Sequence, residues 1–292
     1  MLRPPLRFQQ ALTRRPLPIT LPLMEKRRRI AVFDSGVGGL TVMGAVHQAL
    51  PGVDLRFLGD TARLPYGTKS ASTVEKYALQ ASKKLVEVPV DALVVACNTA
   101  SACAIPALRE AYDFPVLGVI EPGADAALKS SHSGHIGVIG TERTVASHAY
   151  THAIAERDPH AKVHALATPL LVSLAEEGWF DHPATEATLL AYLAPWLSDP
   201  GVRQIDTLVL GCTHYPVFKP ILKRVLGRLL DREVALVDSA EAIALTLQQT
   251  LGPAPLHDGD IHLMATDAVE RFVRVGGLFF PVGKAQVELV DL

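Results

Sequence analysis

Residues 91–99 read Asp91-Ala92-Leu93-Val94-Val95-Ala96-Cys97-Asn98-Thr99, and residues 206–214 read Asp206-Thr207-Leu208-Val209-Leu210-Gly211-Cys212-Thr213-His214. Each opens on aspartate, runs through an apolar stretch to a small residue, then reaches cysteine and polar residues. Short apolar runs of this kind, closed by turn formers, read as strands buried on both faces, as in a parallel sheet covered by helices. A second, weaker pair is Ile30-Ala-Val-Phe-Asp34-Ser35 and Ile136-Gly-Val-Ile-Gly-Thr141. Two similar halves imply duplicated α/β domains facing each other, each offering one cysteine to the cleft between them. Chance similarity of two parallel strands is the competing reading; the cysteine at the same offset in both copies speaks against it.

Working outward, further strands are expected at Arg29–Phe33, Leu55–Leu58, Val116–Val119, Ile136–Ile139, Val163–Ala167 and Val234–Val237, besides Ala92–Ala96 and Thr207–Leu210. Helical patterns lie between them at Ser72–Glu87, Ala100–Tyr112, Arg143–Arg157 and Thr185–Trp196. The alternation places the chain in the α/β class. Ligands of such sheets bind beyond the carboxyl ends of the strands, so the residues that follow each strand carry the functional reading.

One thiol on each side of a small molecule suits inversion of a carbon centre. A proton must leave one face and another must arrive at the opposite face, so one group starts as base and the other as acid. An ordinary thiol has a pKa of about 8.5, within reach of that task when its neighbours tune it. Buried packing is the bland alternative for Cys97 and Cys212. The polar Asn98-Thr99 and Thr213-His214 steps favour ligand-binding loops. Asp34, at the end of the first strand, is a base, a hydrogen-bond acceptor or a turn residue. The glycines of Asp34-Ser-Gly-Val-Gly-Gly-Leu-Thr41 permit a tight turn and close backbone approach to an anion. That loop is not a dinucleotide fingerprint, because Thr41 stands where the last glycine belongs. Gly59-Asp-Thr-Ala-Arg-Leu-Pro-Tyr-Gly67 offers backbone N–H groups and the Tyr66 hydroxyl to a carboxylate. His214 can assist Cys212, and Glu176 can orient His214, with the adjacent Glu177 as a rival. Cys103 reads as packing. His148 and His152 have helical spacing but lack a third ligand for zinc.

Composition sets the class. Hydrophobic residues make up 49% of the 292 and charged residues 20%, the balance of a folded globular chain. The net charge of -2 does not advertise nucleic-acid or membrane binding. Three cysteines and no secretory signal pattern point to a reducing, cytoplasmic setting rather than a disulfide framework. The first 29 residues hold eight of the basic residues, one acid and five prolines, and read as a poorly ordered tail. Met24 is an alternative start, and a regulatory contact through the basic arm stays open.

Five stretches in order resemble the glutamate racemases of the aspartate/glutamate racemase group: IAVFDSGVGGLTV from Ile30, GDTARLPYG from Gly59, VVACNTASA from Val94, IGVIGTERTV from Ile136 and LVLGCTHYP from Leu208. The resemblance implies two doubly wound α/β domains about a pseudo-twofold axis, with the substrate between them and no cofactor or metal. It implies a division into a tail (1–29), a first domain (30–120 with 235–292) and a second domain (121–234). It makes Cys97 the base toward D-glutamate, assisted by Asp34, and Cys212 the base toward L-glutamate, assisted by His214 and Glu176. Asp34, Ser35, Tyr66, Gly67, Asn98, Thr99, Thr141, Thr144, Thr213 and His214 would hold the substrate. Glutamate would be the small-molecule partner, a homodimer the assembly, and D-glutamate for peptidoglycan the product. Thr168 and Leu64 depart from the family pattern, which often has cysteine or a small residue there. A racemase for another amino acid or a hydantoin, a decarboxylase or isomerase of the same fold, and a binding module without chemistry are the rival readings. The two retained cysteines argue against the one-thiol rivals, and a turnover panel separates the substrates.

Overall fold

The computed structural model describes residues 27–252, 258–281 and 287–292. In chain order the elements are β1 (Arg29–Asp34), α1 (Leu40–Ala49), β2 (Asp54–Gly59), α2 (Ala71–Leu85), β3 (Ala92–Val95), α3 (Asn98–Ala111), β4 (Val116–Gly118), α4 (Ile120–Ser130), β5 (His135–Gly140), α5 (Glu142–Ala146), α6 (Ala149–Arg157), β6 (Lys162–Ala167), α7 (Leu170–Glu176), α8 (Pro183–Trp196), β7 (Thr207–Gly211), α9 (Lys219–Leu230), β8 (Ala235–Asp238), α10 (Ser239–Leu251), β9 (Ile261–Ala265), α11 (Val269–Gly276) and β10 (Val287–Leu289). They build two parallel sheets, in the orders β10-β9-β2-β1-β3-β4 and β6-β5-β7-β8.

The internal repeat is visible in these orders. The run β2-β1-β3-β4 has the same connectivity as β6-β5-β7-β8, with β1 matched to β5 and β3 to β7. The two quoted stretches are therefore equivalent strands of two sheets. Even the leading aspartates act alike. Asp91 accepts from the Arg29 N–H at 2.8 Å, and Asp206 accepts from the His132 and Ser133 N–H groups at 2.7 Å, each tying a neighbouring segment to the start of its strand.

Strand alternation explains the layers. Ile30 and Val32 of β1 face the core under α1 and α10, whereas Ala31 and Phe33 face the core under α2 and α3. In the smaller sheet, Leu208 and Leu210 of β7 pack with α7, α8 and α9, and Val209 packs with α4 and α6. Each fully buried aliphatic or aromatic side chain contributes roughly 1.5–3 kcal/mol, so both faces of each sheet are stabilised. Helix starts are set by side-chain caps. Ser70 accepts from Thr73 N–H at 3.3 Å before α2, and Asp238 accepts from Ala240 N–H at 2.7 Å before α10.

Several expectations change. β6 is an edge strand with no fully buried residue, not a strand covered on both faces. The single helix expected over Arg143–Arg157 is two, because His148 adopts φ 55°, in the left-handed region, and ends the first. The division drawn before residue 235 cuts β8 from its sheet: Ala235 pairs in register with Thr207, and the chain returns to the larger sheet only after Asp238. Of the basic tail, residues 1–26 lie outside the described residues. Arg27 is bonded to Asp260 at 2.6 Å and Arg29 opens β1, so the end of that segment is fixed. β9, α11 and β10 complete the larger sheet beyond the strands expected from sequence. Among the described residues, no helix is long and apolar enough to cross a membrane.

Candidate active site

The carboxyl ends of β1, β3, β5 and β7 converge on a cavity of about 190 Å³. This is small for a ligand pocket, which typically spans about 300–1,000 Å³, and suits a compact metabolite. The larger-sheet unit lines it with Ser35, Gly36, the Leu64–Thr68 loop, Cys97, Asn98 and Thr99. The smaller-sheet unit lines it with Thr141, Glu142, Pro169, Val172, Ser173, Glu176, Cys212, Thr213 and His214. Cys97 and Cys212 thus reach one cavity from the two halves of the repeat. Among the described residues, no lysine or arginine lines it. An anionic ligand would meet hydroxyls, an amide and the N-terminus of α3, which begins at Asn98.

Cys97 caps α3, accepting from the Ala100 N–H at 3.4 Å, and its thiol donates to Ser35 Oγ at 3.4 Å. Burial and the Asp34 charge push this thiol up to about 12, against the opposing effect of the Ser35 and Ala100 hydrogen bonds. Asp34 is fully buried and stands behind the cavity, not in its wall. One of its oxygens accepts from the Gly36 N–H at 2.9 Å, and the Gly39 N–H also favours the carboxylate. Burial raises the Asp34 carboxyl, although the nearby His214 and the Gly36 N–H pull the other way.

On the opposite side, the Cys212 sulfur lies 3.8 Å from His214 Nδ1, and His214 Nε2 lies 3.3 Å from Glu176 Oε1. Burial disfavours the imidazolium, but the hydrogen bonds and charges of Cys212 and Glu176 outweigh it, and His214 is pushed up to about 10. Burial also disfavours the Glu176 carboxylate; the His214 and Arg271 partners overcome this and hold it below the usual range. Glu176, and not Glu177, faces the histidine. The resulting chain runs Cys212–His214–Glu176–Arg271, with Arg271 donating to Glu176 Oε2 at 2.6 Å.

The other expected residues divide. Ser35, Gly67, Asn98, Thr99, Thr141 and Thr213 line the cavity. Thr144 does not: it is buried behind Thr99 and Thr141, whose hydroxyls lie 3.3 and 3.0 Å from its own. Tyr66 lines the wall, and its hydroxyl donates to buried Asp60. The space left by Gly38 is filled by protein. A Cβ there would lie 2.4 Å from Thr213 Oγ1 and 2.5 Å from the His214 ring. Asn98 is oriented by Tyr150, whose hydroxyl donates to its Oδ1 at 2.7 Å, leaving Nδ2 buried and unpartnered beside the cavity. Thr168 shares hydrogen bonds with Tyr215, and Cys103 packs at the edge of the α2–α3 core. Sequence reasoning missed Asp60, Tyr150 and Arg271. Asp60 stood inside a quoted motif, whereas Arg271 sits on a helix whose one-sided apolar pattern, Phe272 and Val275, was the available signal.

Comparison with known proteins shows the family of the chain. Residues 37–247 match the family model described as Asp/Glu/Hydantoin racemase. The chain is 48% identical over 259 residues to a glutamate racemase of Geobacter metallireducens, covering 86% of this chain and 92% of that one. A crystal structure of a glutamate racemase isoform from Bacillus anthracis superposes with a TM-score of 0.83 at 37% identity, covering 92% of this chain and 99% of that one. The Francisella tularensis glutamate racemase solved with D-glutamate superposes with a TM-score of 0.81 at 34% identity, over 91% and 98% of the two chains. The chain belongs to the Asp/Glu/Hydantoin racemase family, in its glutamate racemase branch.

Proposed function

We propose that the protein interconverts L- and D-glutamate by two-base proton transfer between Cys97 and Cys212. The observation that carries this reading is the placement of those thiols in one small cavity, each on the equivalent strand end of an opposed unit. From L-glutamate, the Cys212 thiolate takes the α-proton, leaving a carbanion to which the Cys97 thiol delivers its own proton from the opposite face. The product is D-glutamate, with Cys212 now protonated and Cys97 a thiolate. The reverse reaction exchanges the roles. His214 is placed to hold or return the Cys212 proton, and buried Asp34 to exchange the proton of Cys97. Ser35, Asn98, Thr99, Thr141 and Thr213 would hold the two carboxylates and the ammonium with neutral hydroxyl and amide groups. The residues need no cofactor for this chemistry. Supply of D-glutamate to peptidoglycan synthesis, a cytoplasmic location and a homodimeric assembly belong to the same reading.

Chiral chromatography of L-glutamate incubated with the protein alone tests it. Racemic product is expected, with solvent deuterium at the α-carbon. Cys97→Ala and Cys212→Ala should each abolish racemisation while leaving substrate binding measurable by calorimetry. Full turnover by either variant would exclude the two-base route.

A further inference from the structure

The relay behind Cys212 does not end inside its own unit. Glu176 closes α7, which packs on the smaller sheet, and its Oε1 faces His214. Its other oxygen, Oε2, accepts from Arg271, on α11 of the larger-sheet unit and 95 residues away in the chain. The turn that ends α11 adds a second contact to the same group. Phe279, tied back to the helix by its N–H to Gly276 O at 2.9 Å, stands edge-on to the His214 ring with centroids 5.3 Å apart and planes at 83°. Phe279 also packs against both the α1–α10 core and the α7–α9 core. One short segment from the opposite unit therefore grips both the carboxylate and the imidazole.

We propose that Arg271 is a positioning residue for proton transfer at Cys212. A carboxylate free to rotate presents either oxygen, or neither, to His214 Nε2. The guanidinium takes one oxygen and leaves the other aimed at the ring. Phe279 blocks the ring from swinging out of line. The His214–Glu176 geometry then depends on how the two units dock, so the Cys212 base is assembled only when they meet correctly. The Arg271 side chain is 48% exposed, and an ion pair so placed contributes little to global stability. Its effect falls on orientation.

The proposal rests on the two-base reading, and isotope effects test the two separately. Enantiomers have equal free energy, so any variant must change kcat/KM equally in both directions; asymmetry appears only in which proton transfer limits the rate. Arg271→Met should lower kcat/KM roughly 10- to 100-fold, the range found when a group orienting a histidine is lost. With α-deuterated L-glutamate, whose deuteron Cys212 removes, the primary isotope effect on kcat/KM should rise above that of the wild type. With α-deuterated D-glutamate, whose deuteron Cys97 removes before the slow step, it should fall. Arg271→Lys, which keeps a cation within reach, should restore most of the rate and the wild-type isotope pattern. Unchanged kcat/KM in Arg271→Met, isotope effects that move the same way for both enantiomers, or a lower rate with neither effect moved would each overturn the proposal. A wild-type protein that fails to exchange the α-hydrogen with solvent would instead sink the two-base reading itself.

Discussion

Cys97 illustrates how opposing local effects are decided by magnitude. The N-terminus of α3, the Ala100 N–H and the Ser35 hydroxyl, which donates once the sulfur is ionised, stabilise its thiolate, yet burial and the Asp34 charge prevail and push it up to about 12. At neutral pH it therefore stays a thiol, ready to act as acid, and withdrawal of the Asp34 charge would bring it closer to acting as base. Because alkylation proceeds through the thiolate, iodoacetamide should modify Cys97 slowly at pH 8. The rate should rise about tenfold per pH unit through pH 10, without levelling off below pH 11. An ordinary thiol levels off above about pH 8.5. Asp34→Asn removes the second-largest cause of the shift, so the midpoint for Cys97 should move down. Mass spectrometry of the Cys97 peptide, which also separates it from Cys103 and Cys212, follows both changes. A wild-type plateau near pH 8.5, or an upward move in Asp34→Asn, would contradict this account of the site.

The Asp60–Gly67 loop, between β2 and α2, shows how one element is held in shape for the cavity. Asp60 is fully buried and accepts from the Tyr66 hydroxyl, from Arg63 Nε at 2.6 Å and from Thr266 Oγ1 at 2.9 Å. Arg63 also donates to Gln80 Oε1 at 2.5 Å and stacks over Tyr77. Tyr66→Phe removes one donor of three and should destabilise the protein by about 1–2 kcal/mol in urea unfolding. Asp60→Ala leaves a largely buried guanidinium unpaired and should cost about 3–5 kcal/mol. Both should raise KM more than they lower kcat, since the loop lines the cavity and carries neither thiol; the opposite split would place these residues in the chemistry. The loop was legible as a turn after a strand, but the direction of the Tyr66 hydroxyl was not. Asp60 and an incoming carboxylate are equally good acceptors, and only packing of the ring between Phe33 and Tyr77 decides between them. The same distinction holds along the chain. β1, β3, β5 and β7 are apolar runs whose pattern is local, so they and the cysteines after β3 and β7 could be read directly. β10 is three residues long and exists through its ladder to β9, Val287 opposite Leu263, a pairing that no local pattern encodes. The break at His148 depends on a left-handed backbone that histidine does not announce. The clamp from α11 is a contact across 95 positions, invisible to any window along the chain.

At the scale of the molecule, the site exists because the two units approach closely at a few points. Thr41 Oγ1 donates to Thr213 O at 3.0 Å, Arg143 Nε to Lys69 O at 2.8 Å, and Tyr150 to Asn98. A further close point is Gly38, just before α1, against Thr213 and His214 on the opposite unit. Its φ is not in the left-handed region, so alanine satisfies the backbone and the consequence of Gly38→Ala is purely spatial. The new methyl group needs room that either Thr213 and His214 or the docking of the units must yield. The His214 ring cannot move alone, because Cys212, Glu176 and Phe279 contact it on other sides. The units should therefore separate slightly, widening the distance between the two sulfurs while each sheet keeps its own core. A displacement on the order of 1 Å at reacting groups costs roughly 100-fold in rate, which is the fall in kcat/KM expected for Gly38→Ala. The circular dichroism spectrum should be unchanged, and a bifunctional thiol reagent should bridge Cys97 and Cys212 with a longer preferred span than in the wild type. Gly227→Ala, on α9 with no atom within 4 Å of the added methyl, serves as the control and should leave rate and span as they are. If Gly38→Ala racemised glutamate at the wild-type rate, the close docking of the units would not be what brings the two thiols into register.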